Sequence, residues 1–296
     1  MLPQLSVFFG VTVDDLLAIS PETQMARMES HLEDAALLSG AEAEQMEKTL
    51  LSFAEKRENA GKSYSVLCKL HNHQAEAHRE IATRYGKQAV ELTPGDADAI
   101  AELANAMGSY VPDWNVRNHH ELIAYLQDFM QKNPQNRSAC MWLLDNLIAD
   151  RRLTEASKWL AHLASIDNTF RTPLYRYLLA EAAWDREGRD KWLAALEAWQ
   201  EEWCLSLALG DIYVSLERYT DAIKSYQKAQ ALQPSPKFID VAVSVARVCE
   251  IQKDAKGAVE AYGEALRLLK EEWGIVSGAQ VERLQALQEK NRAFEK

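Results

Sequence analysis

The 296-residue sequence predicts an all-α fold, an α-solenoid of antiparallel helix pairs, and three observations carry that prediction. Glycine (12) and proline (8) are scarce while Ala, Leu, Glu, Gln and Lys are plentiful, so helix breakers are few and helix formers many. Apolar residues recur at helical spacing, and no run of alternating β-branched residues bounded by turn residues occurs. The small and aromatic residues within Leu207–Pro234 recur 36 residues further on, as they would in a stack of like units.

From the N-terminus, residues 22–39 and 41–59 read as an antiparallel pair joined near Ser39-Gly40. Gln74–Leu92 reads as one helix, stopped by Thr93-Pro94-Gly95-Asp96, and Ala97–Ser109 as the next. A longer loop, Tyr110–Asn118, carries Pro112 and Trp114, and His120–Gln131 is a helix that ends at Asn133-Pro134. Ser138–Ala149 and Thr154–Ala164 pair around Asp150-Arg151-Arg152. Leu174–Asp185 and Asp190–Glu202 pair around Arg186-Glu187-Gly188, with Trp184, Trp192 and Trp199 expected in the core. Two further pairs follow, and a highly charged last helix, Ala279–Phe294, suits the polar cap a solenoid end requires.

The segment around Leu207–Pro234 carries the most specific pattern. Leu209 and Gly210 come early in a first helix, Tyr213 follows three residues later, and Ala222, Tyr226 and Ala229 space a second helix that Pro234 ends. Gly210 and Ala222 are small, so two helices can approach closely, and the tyrosines fill the space between them. Glu217-Arg218-Tyr219-Thr220 reads as the connection, with Thr220 as N-cap. This arrangement resembles a tetratricopeptide repeat, with Ser206 where that family has an early tryptophan. A degraded copy in register follows: Ala246 stands where the glycine was, Cys249 where the tyrosine was, and Ala258, Tyr262 and Ala265 repeat the second helix. The clearest repeats are thus 203–236 and 237–270 within a tetratricopeptide-like domain of residues 20–296, capped by 279–296. In the earlier pairs Ala156 and Leu160 sit where Ala222 and Tyr226 sit later, but the register of those pairs is not fixed by sequence.

Residues 1–19 read differently. Leu2, Pro3, Leu5, Phe8, Phe9, Gly10, Val11, Val13, Asp14, Leu16 and Leu17 resemble the last helices of a Cro/repressor (XRE)-type helix-turn-helix domain. The helices that would precede them, including the one that enters the major groove, are not in the sequence, so DNA contact is expected only through a domain absent from this chain. Helix-turn-helix followed by tetratricopeptide-like repeats is similar in layout to the peptide-sensing RRNPP regulators of Gram-positive bacteria. That resemblance implies a non-catalytic module that binds a peptide and forms a homodimer. A free-standing scaffold for a protein partner is the alternative that the repeats support equally.

Composition narrows the classes. A formal charge of −11 repels phosphate and argues against nucleic-acid binding by this chain. Cys68, Cys140, Cys204 and Cys249 are far apart and form no C-x-x-C pair, which suggests buried thiols in a reducing compartment. No signal peptide or span of about 20 apolar residues is evident, so a cytoplasmic protein without membrane contact is expected. No G-x-S-x-G, Walker, G-x-G-x-x-G or H-E-x-x-H motif occurs, so neither an enzyme nor a cofactor is expected. His71 and His73 face different ways on a helix, and His71 and His78 are two turns apart, so a metal site is not expected either.

The candidate site is the face of each pair's first helix. Counting Gly210 as position eight, positions two, five, nine and twelve would face a groove. The residues chosen on this basis are Met141, Asp145, Tyr177, Glu181, Trp184, Leu207, Asp211, Val243 and Arg247. Position nine gives Asp145, Glu181, Asp211 and Arg247, a line suited to a cationic or amino-terminal group at one end and a carboxylate at the other. Met141, Tyr177 and Trp184 would supply apolar contact.

Overall fold

The computed structural model describes residues 20–34, 37–93, 96–107 and 119–294, and every regular element among them is an α-helix. The helix-turn-helix-like run Met1–Leu17 and the loop Tyr110–Asn118 lie outside the described residues, as do Pro94, Gly95 and the last two residues expected for the helix from Ala97. The helices are α1 (Pro21–Asp34), α2 (Gly40–Ala54), α3 (Arg57–Leu92), α4 (Ala97–Ala106), α5 (His120–Lys132), α6 (Arg137–Ala149) and α7 (Leu153–Ile166). They continue as α8 (Arg171–Ala182), α9 (Arg186–Glu197), α10 (Trp203–Ser215), α11 (Tyr219–Leu232), α12 (Asp240–Ile251), α13 (Ala255–Trp273) and α14 (Ala279–Arg292). Two compact units result, one within residues 1–110 and 274–286, the other within 111–273 and 287–296.

In the first unit, Ser39 caps α2 with a full capping box: its hydroxyl accepts from Glu42 N, and Glu42 Oε2 accepts from Ser39 N at 2.9 Å. The helix expected from Gln74 is the second part of a 36-residue helix, α3. Nothing in 57–92 is a proline, and the isolated Gly61 and Gly86 weaken a helix without ending it. At 1.5 Å per residue α3 extends about 54 Å, longer than any helix of a paired repeat. Its first half carries the buried Val66, Leu67 and Leu70, which meet Met25 and Leu32 of α1 and Met46 and Leu50 of α2. On its second half Gly86 lets Leu103 of α4 approach, to 3.1 Å from where a Cβ would stand. The Glu29 carboxylate accepts from both Lys62 and Lys69, and these bonds hold its pKa below the usual glutamate value.

The second unit is a succession of pairs, α6/α7, α8/α9, α10/α11 and α12/α13, with α5 packed on α6 at one end. Consecutive helices touch throughout, and α6 also touches α8. Within α10/α11 the predicted close approach is present. A Cβ on Gly210 would stand 2.3 Å from Tyr226 Cε1, while Ala222 and Ala229 are fully buried. The Tyr226 hydroxyl donates to Asp211 at 2.6 Å, which fixes the ring over the glycine. In α12/α13, Ala246, Ala258, Tyr262 and Ala265 are equally buried, and Ala156 and Leu160 hold the same places in α7. The end of α14 lies on this last pair, with Gln288 Nε2 donating to Val259 O at 3.0 Å and Asn291 Nδ2 to Glu250 Oε1 at 2.9 Å.

Each pair turns by the same device. Arg151, Trp184, Glu217 and Lys253 have φ of 60°, 61°, 57° and 59°, at intervals of 33, 33 and 36 residues. Around each, the chain closes a Schellman motif. In the third pair, for example, Arg218 N donates to Tyr213 O at 2.8 Å and Glu217 N to Val214 O at 3.0 Å. The next residue begins the second helix in one of two ways. Asp185 and Asp254 accept from Gly188 N and Gly257 N, both at 2.9 Å, where a Cβ on either glycine would strike the aspartate. Arg152 and Arg218 instead pair with Glu155 and Asp221 three residues on. Thr220 is therefore inside the first turn of α11 and not its N-cap.

This turn also corrects one pair. The expected connection Arg186-Glu187-Gly188 is the first turn of α9, and α8 begins and ends about three residues earlier than the sequence pattern suggested. Gly188 looked like a turn glycine, but it is small because the Asp185 cap occupies the space beside it. Trp184, expected in the core, is 83% exposed. Of the four cysteines, Cys140 and Cys249 are buried, Cys204 is half-buried and Cys68 is exposed, so only the first two fit the buried-thiol expectation.

Two measurements test these points. Gly210→Ala forces a methyl into a ring held at both ends and is expected to cost about 1–3 kcal/mol. Lys253→Gly relieves a left-handed residue and should stabilise by about 0.5–1 kcal/mol; urea unfolding of both variants reads the two opposite signs. Because the Glu29 pKa is depressed, its contribution is present above the unfolded value near 4.5 and is lost as pH falls through the folded one. Glu29→Gln should therefore lower stability by about 1 kcal/mol at pH 7, and the gap to the parent chain should close in acid. An equal gap at both pH values would assign the loss to packing.

Candidate functional site

The four left-handed turn residues set one register for the first helices. Position eight is occupied by Leu144, Tyr177, Gly210 and Ala246, each seven residues before its turn residue. The expected positions hold for α6, α10 and α12. In α8 they shift by three: positions five, nine and twelve are Leu174, Leu178 and Glu181, so the position-nine line is Asp145, Leu178, Asp211 and Arg247. Tyr177 occupies the glycine's place, is fully buried and faces no groove, and Trp184 is a turn residue.

Three of the nine expected residues come together. Asp145 of α6, Glu181 of α8 and Trp184 of the α8–α9 turn line a cleft of about 820 Å³, with Arg151, Arg186 and Arg189 also in its wall. Ligand pockets commonly measure about 300–1,000 Å³. Arg151 lies over the Trp184 ring, 5.8 Å from its centroid, so two successive left-handed turn residues stack on each other. Arg189 bonds Asp190 at 3.1 Å.

Asp145 is open to solvent but recessed. Packed atoms around it displace water and raise its pKa, and the Tyr175 hydroxyl partly opposes that rise. Among the described residues neither Asp145 nor Glu181 has a cation within ion-pair distance. The Tyr177 hydroxyl is buried and, among the described residues, makes no hydrogen bond of good geometry, with Glu181 and Ser215 the side chains that act on it. Its pKa is pushed up to about 12, first by burial and then by Glu181, with Arg189 opposing.

The other six expected residues lie outside the cleft wall. Met141, Leu207 and Val243 are half-buried, and the Met141 carbonyl accepts from Tyr175 at 3.2 Å. Asp211 is held by Tyr226, and Arg247 pairs with Glu250 at 2.9 Å. Glu250 also accepts from Tyr262 at 3.1 Å, and these bonds lower its pKa against the opposing effect of burial. Asp150, whose side chain is almost fully buried, takes His119 N at 2.9 Å and His119 Nδ1 at 2.7 Å, a partner for His119 that the sequence did not disclose.

Sequence reasoning missed Arg151, Arg186 and Arg189. The 33-residue interval from Arg151 to Trp184 to Glu217 was available as a signal, but a left-handed position is sought through glycine, and none of the four turns has one there. Among the described residues no group of three or more His, Cys, Asp or Glu side chains could hold a metal ion. No described helix is long and apolar enough to cross a membrane.

Residues 206–236 match the tetratricopeptide repeat family model. No curated protein matches the chain. Among solved structures, a tetratricopeptide repeat protein from Parabacteroides merdae is 13% identical, covering 83% of this chain and 91% of its own, at a TM-score of 0.43. A thermophilic TPR protein of Thermus thermophilus is 16% identical over 73% of this chain and 98% of its own, at 0.40. Yeast Tom70 is 13% identical over 93% of this chain and 58% of its own, at 0.39. Likenesses at this level say nothing of function. The chain is a helical-repeat protein built of antiparallel pairs, with a tetratricopeptide repeat at residues 206–236.

Proposed function

We propose that the second unit binds a segment of another polypeptide across the face of α6 and α8, without catalysis. The observation that supports this reading is the cleft: an open volume between the first helices of successive pairs, with an exposed tryptophan beside carboxylates that form no ion pair among the described residues. Large aromatic side chains in recessed sites are the usual anchors of polypeptide interfaces. A half-polar, open cleft suits an extended segment better than a small apolar ligand.

A more specific reading is favoured by residues 1–17. Their helix-turn-helix-like pattern fits the effector-binding and dimerising part of a transcriptional regulator, in which DNA contact would come from a helix-turn-helix domain. A free-standing scaffold is the competing reading, and both use the same face.

Affinity selection of random dodecapeptides on the purified chain tests the shared claim. Selected peptides should lose about tenfold in affinity on Trp184→Ala, the loss of one interface anchor of about 1.4 kcal/mol. Unchanged affinity would place the binding face elsewhere. Native mass spectrometry separates the finer readings: a dimer carrying peptide is expected of the regulator, a monomer of the scaffold.

A further inference from the structure

We infer that two copies of the chain associate by packing α5 against α5, antiparallel about a two-fold axis, with Trp142 of each copy closing over the α5 of the other. This contact lies apart from the cleft. It gives a surface to the dimerising reading proposed above, rests on that reading only for its biological use, and can fail while peptide binding stands.

The place of α5 in the repeat comes first. Pro134 follows α5 as Pro234 follows α11, and counted back from it Leu122, Leu126 and Phe129 take the places of Ala222, Tyr226 and Ala229. α5 is thus a second helix. In α7, α11 and α13 all three places are buried, since the first helix of the same pair lies on them. In α5 only Leu126 is buried. Leu122 is 44% exposed, Phe129 is half-buried, and Tyr125, stacked on Phe129 with ring centroids 6.5 Å apart, is 66% exposed.

The neighbouring helix shows the same open side independently. Trp142 of α6 and Tyr175 of α8 hold one repeat position, two residues before position eight. Tyr175 is buried because it lies on the preceding first helix, where its hydroxyl donates to Met141 O. Trp142 is 64% exposed. Both helices therefore leave open the side that a preceding first helix would cover, and among the described residues the packing of α5 is against α6. A contiguous apolar patch with a charged rim marks an interaction surface.

The charges choose the occupant. Glu121 lies in the first turn of α5 and Lys132 in the last, both exposed and both on one flank of the Leu122, Tyr125 and Phe129 stripe. Neither forms an ion pair among the described residues. An antiparallel second copy sets Glu121 beside Lys132 at each end and lays the helix dipoles head to tail. The same reversal puts Leu122 against Phe129 with the tyrosines at the centre, so the stripe is its own complement, as a two-fold contact requires. α5 and α6 of the two copies then make a four-helix bundle. Two aromatics and a leucine opened on each copy amount to on the order of 1,000 Å², near the lower size of a specific interface.

Sedimentation equilibrium of the full chain at micromolar concentration tests the contact, since an interface of this size is held in that range. The parent chain should dimerise. Tyr125→Glu should be monomeric, and Trp142→Ala should weaken the dimer about tenfold; thermal melts check that both fold. Glu121→Lys and Lys132→Glu should each weaken it, and the double variant should restore it, because like charges meet in the single variants and opposite charges in the double. Zero-length carbodiimide coupling of a mixture of unlabelled and isotopically heavy chains should join Glu121 to Lys132 in mixed pairs. Within one helix these residues are about 16 Å apart, too far to couple. A monomeric parent chain would overturn the inference, as would a dimer that survives Tyr125→Glu or that the charge exchange does not restore. Peptide affinity of the same samples decides the cleft separately.

Discussion

The spacing of each helix pair depends on one steric exchange, in which the bulk that fills the crossing comes from one helix and the room for it from the other. In α10/α11 the first helix contributes no side chain, Gly210, and the second contributes a full ring, Tyr226. In α12/α13 the corresponding residues are Ala246 and Tyr262, in α6/α7 Leu144 and Leu160, and in α8/α9 Tyr177 and Leu193, all buried. Protein interiors tolerate a shift of volume between partners far better than a net gain or loss of it. The crossing can therefore be kept while the residues that advertise it are lost, and an aromatic can move from the second helix to the first.

The turns obey a second constraint, satisfaction of the last carbonyls of each first helix. The Schellman geometry does this four times, and each time it requires a positive φ that none of Arg151, Trp184, Glu217 and Lys253 prefers. A left-handed residue other than glycine costs about 1 kcal/mol, so the four turns together give up a few kcal/mol that glycine would return. In exchange the chain projects a long side chain from the tip of every turn. Two of those tips, Arg151 and Trp184, meet each other and form part of the cleft wall.

How much of this was legible follows from these two constraints. The all-α fold, the short pairs of the second unit and the close contact of Gly210 with Tyr226 were readable, because propensity, small-residue spacing and the Pro234 stop all agree there. The register of α8 was not, because the aromatic had moved to Tyr177 and Gly188 stood where a cap, not a turn, needed it. The long α3 was legible only in part. Its buried residues crowd into its first half, so the exposed second half carried the helical signal and the start was lost. Of the cleft wall, Asp145 and Glu181 are among the residues chosen from the sequence, the second by a register that was off by one turn of helix. The arginines were not found, because they reach the cleft through backbone conformation, which no side-chain periodicity records.

The position of the cleft follows from the same exchange. Where a tyrosine comes from the second helix, its hydroxyl crosses to a carboxylate on the first, as Tyr226 does to Asp211 and Tyr262 to Glu250, and the polar face of that pair is internally satisfied. Where leucine takes its place the crossing stays full but that hydroxyl is gone, and Asp145 of α6 meets the Tyr175 hydroxyl of α8 instead. In α8/α9 the displaced aromatic, Tyr177, buries its own hydroxyl, which makes no hydrogen bond of good geometry among the described residues. The two pairs built with leucine are adjacent, and the cleft lies between them. A substitution that conserves packing thus opens the hydrogen-bonding account of two neighbouring helices on one wall. Packing energy is indifferent to that change, whereas electrostatic energy is not, since the bonds that Tyr226 and Tyr262 give to carboxylates have no counterpart from Leu160 and Leu193.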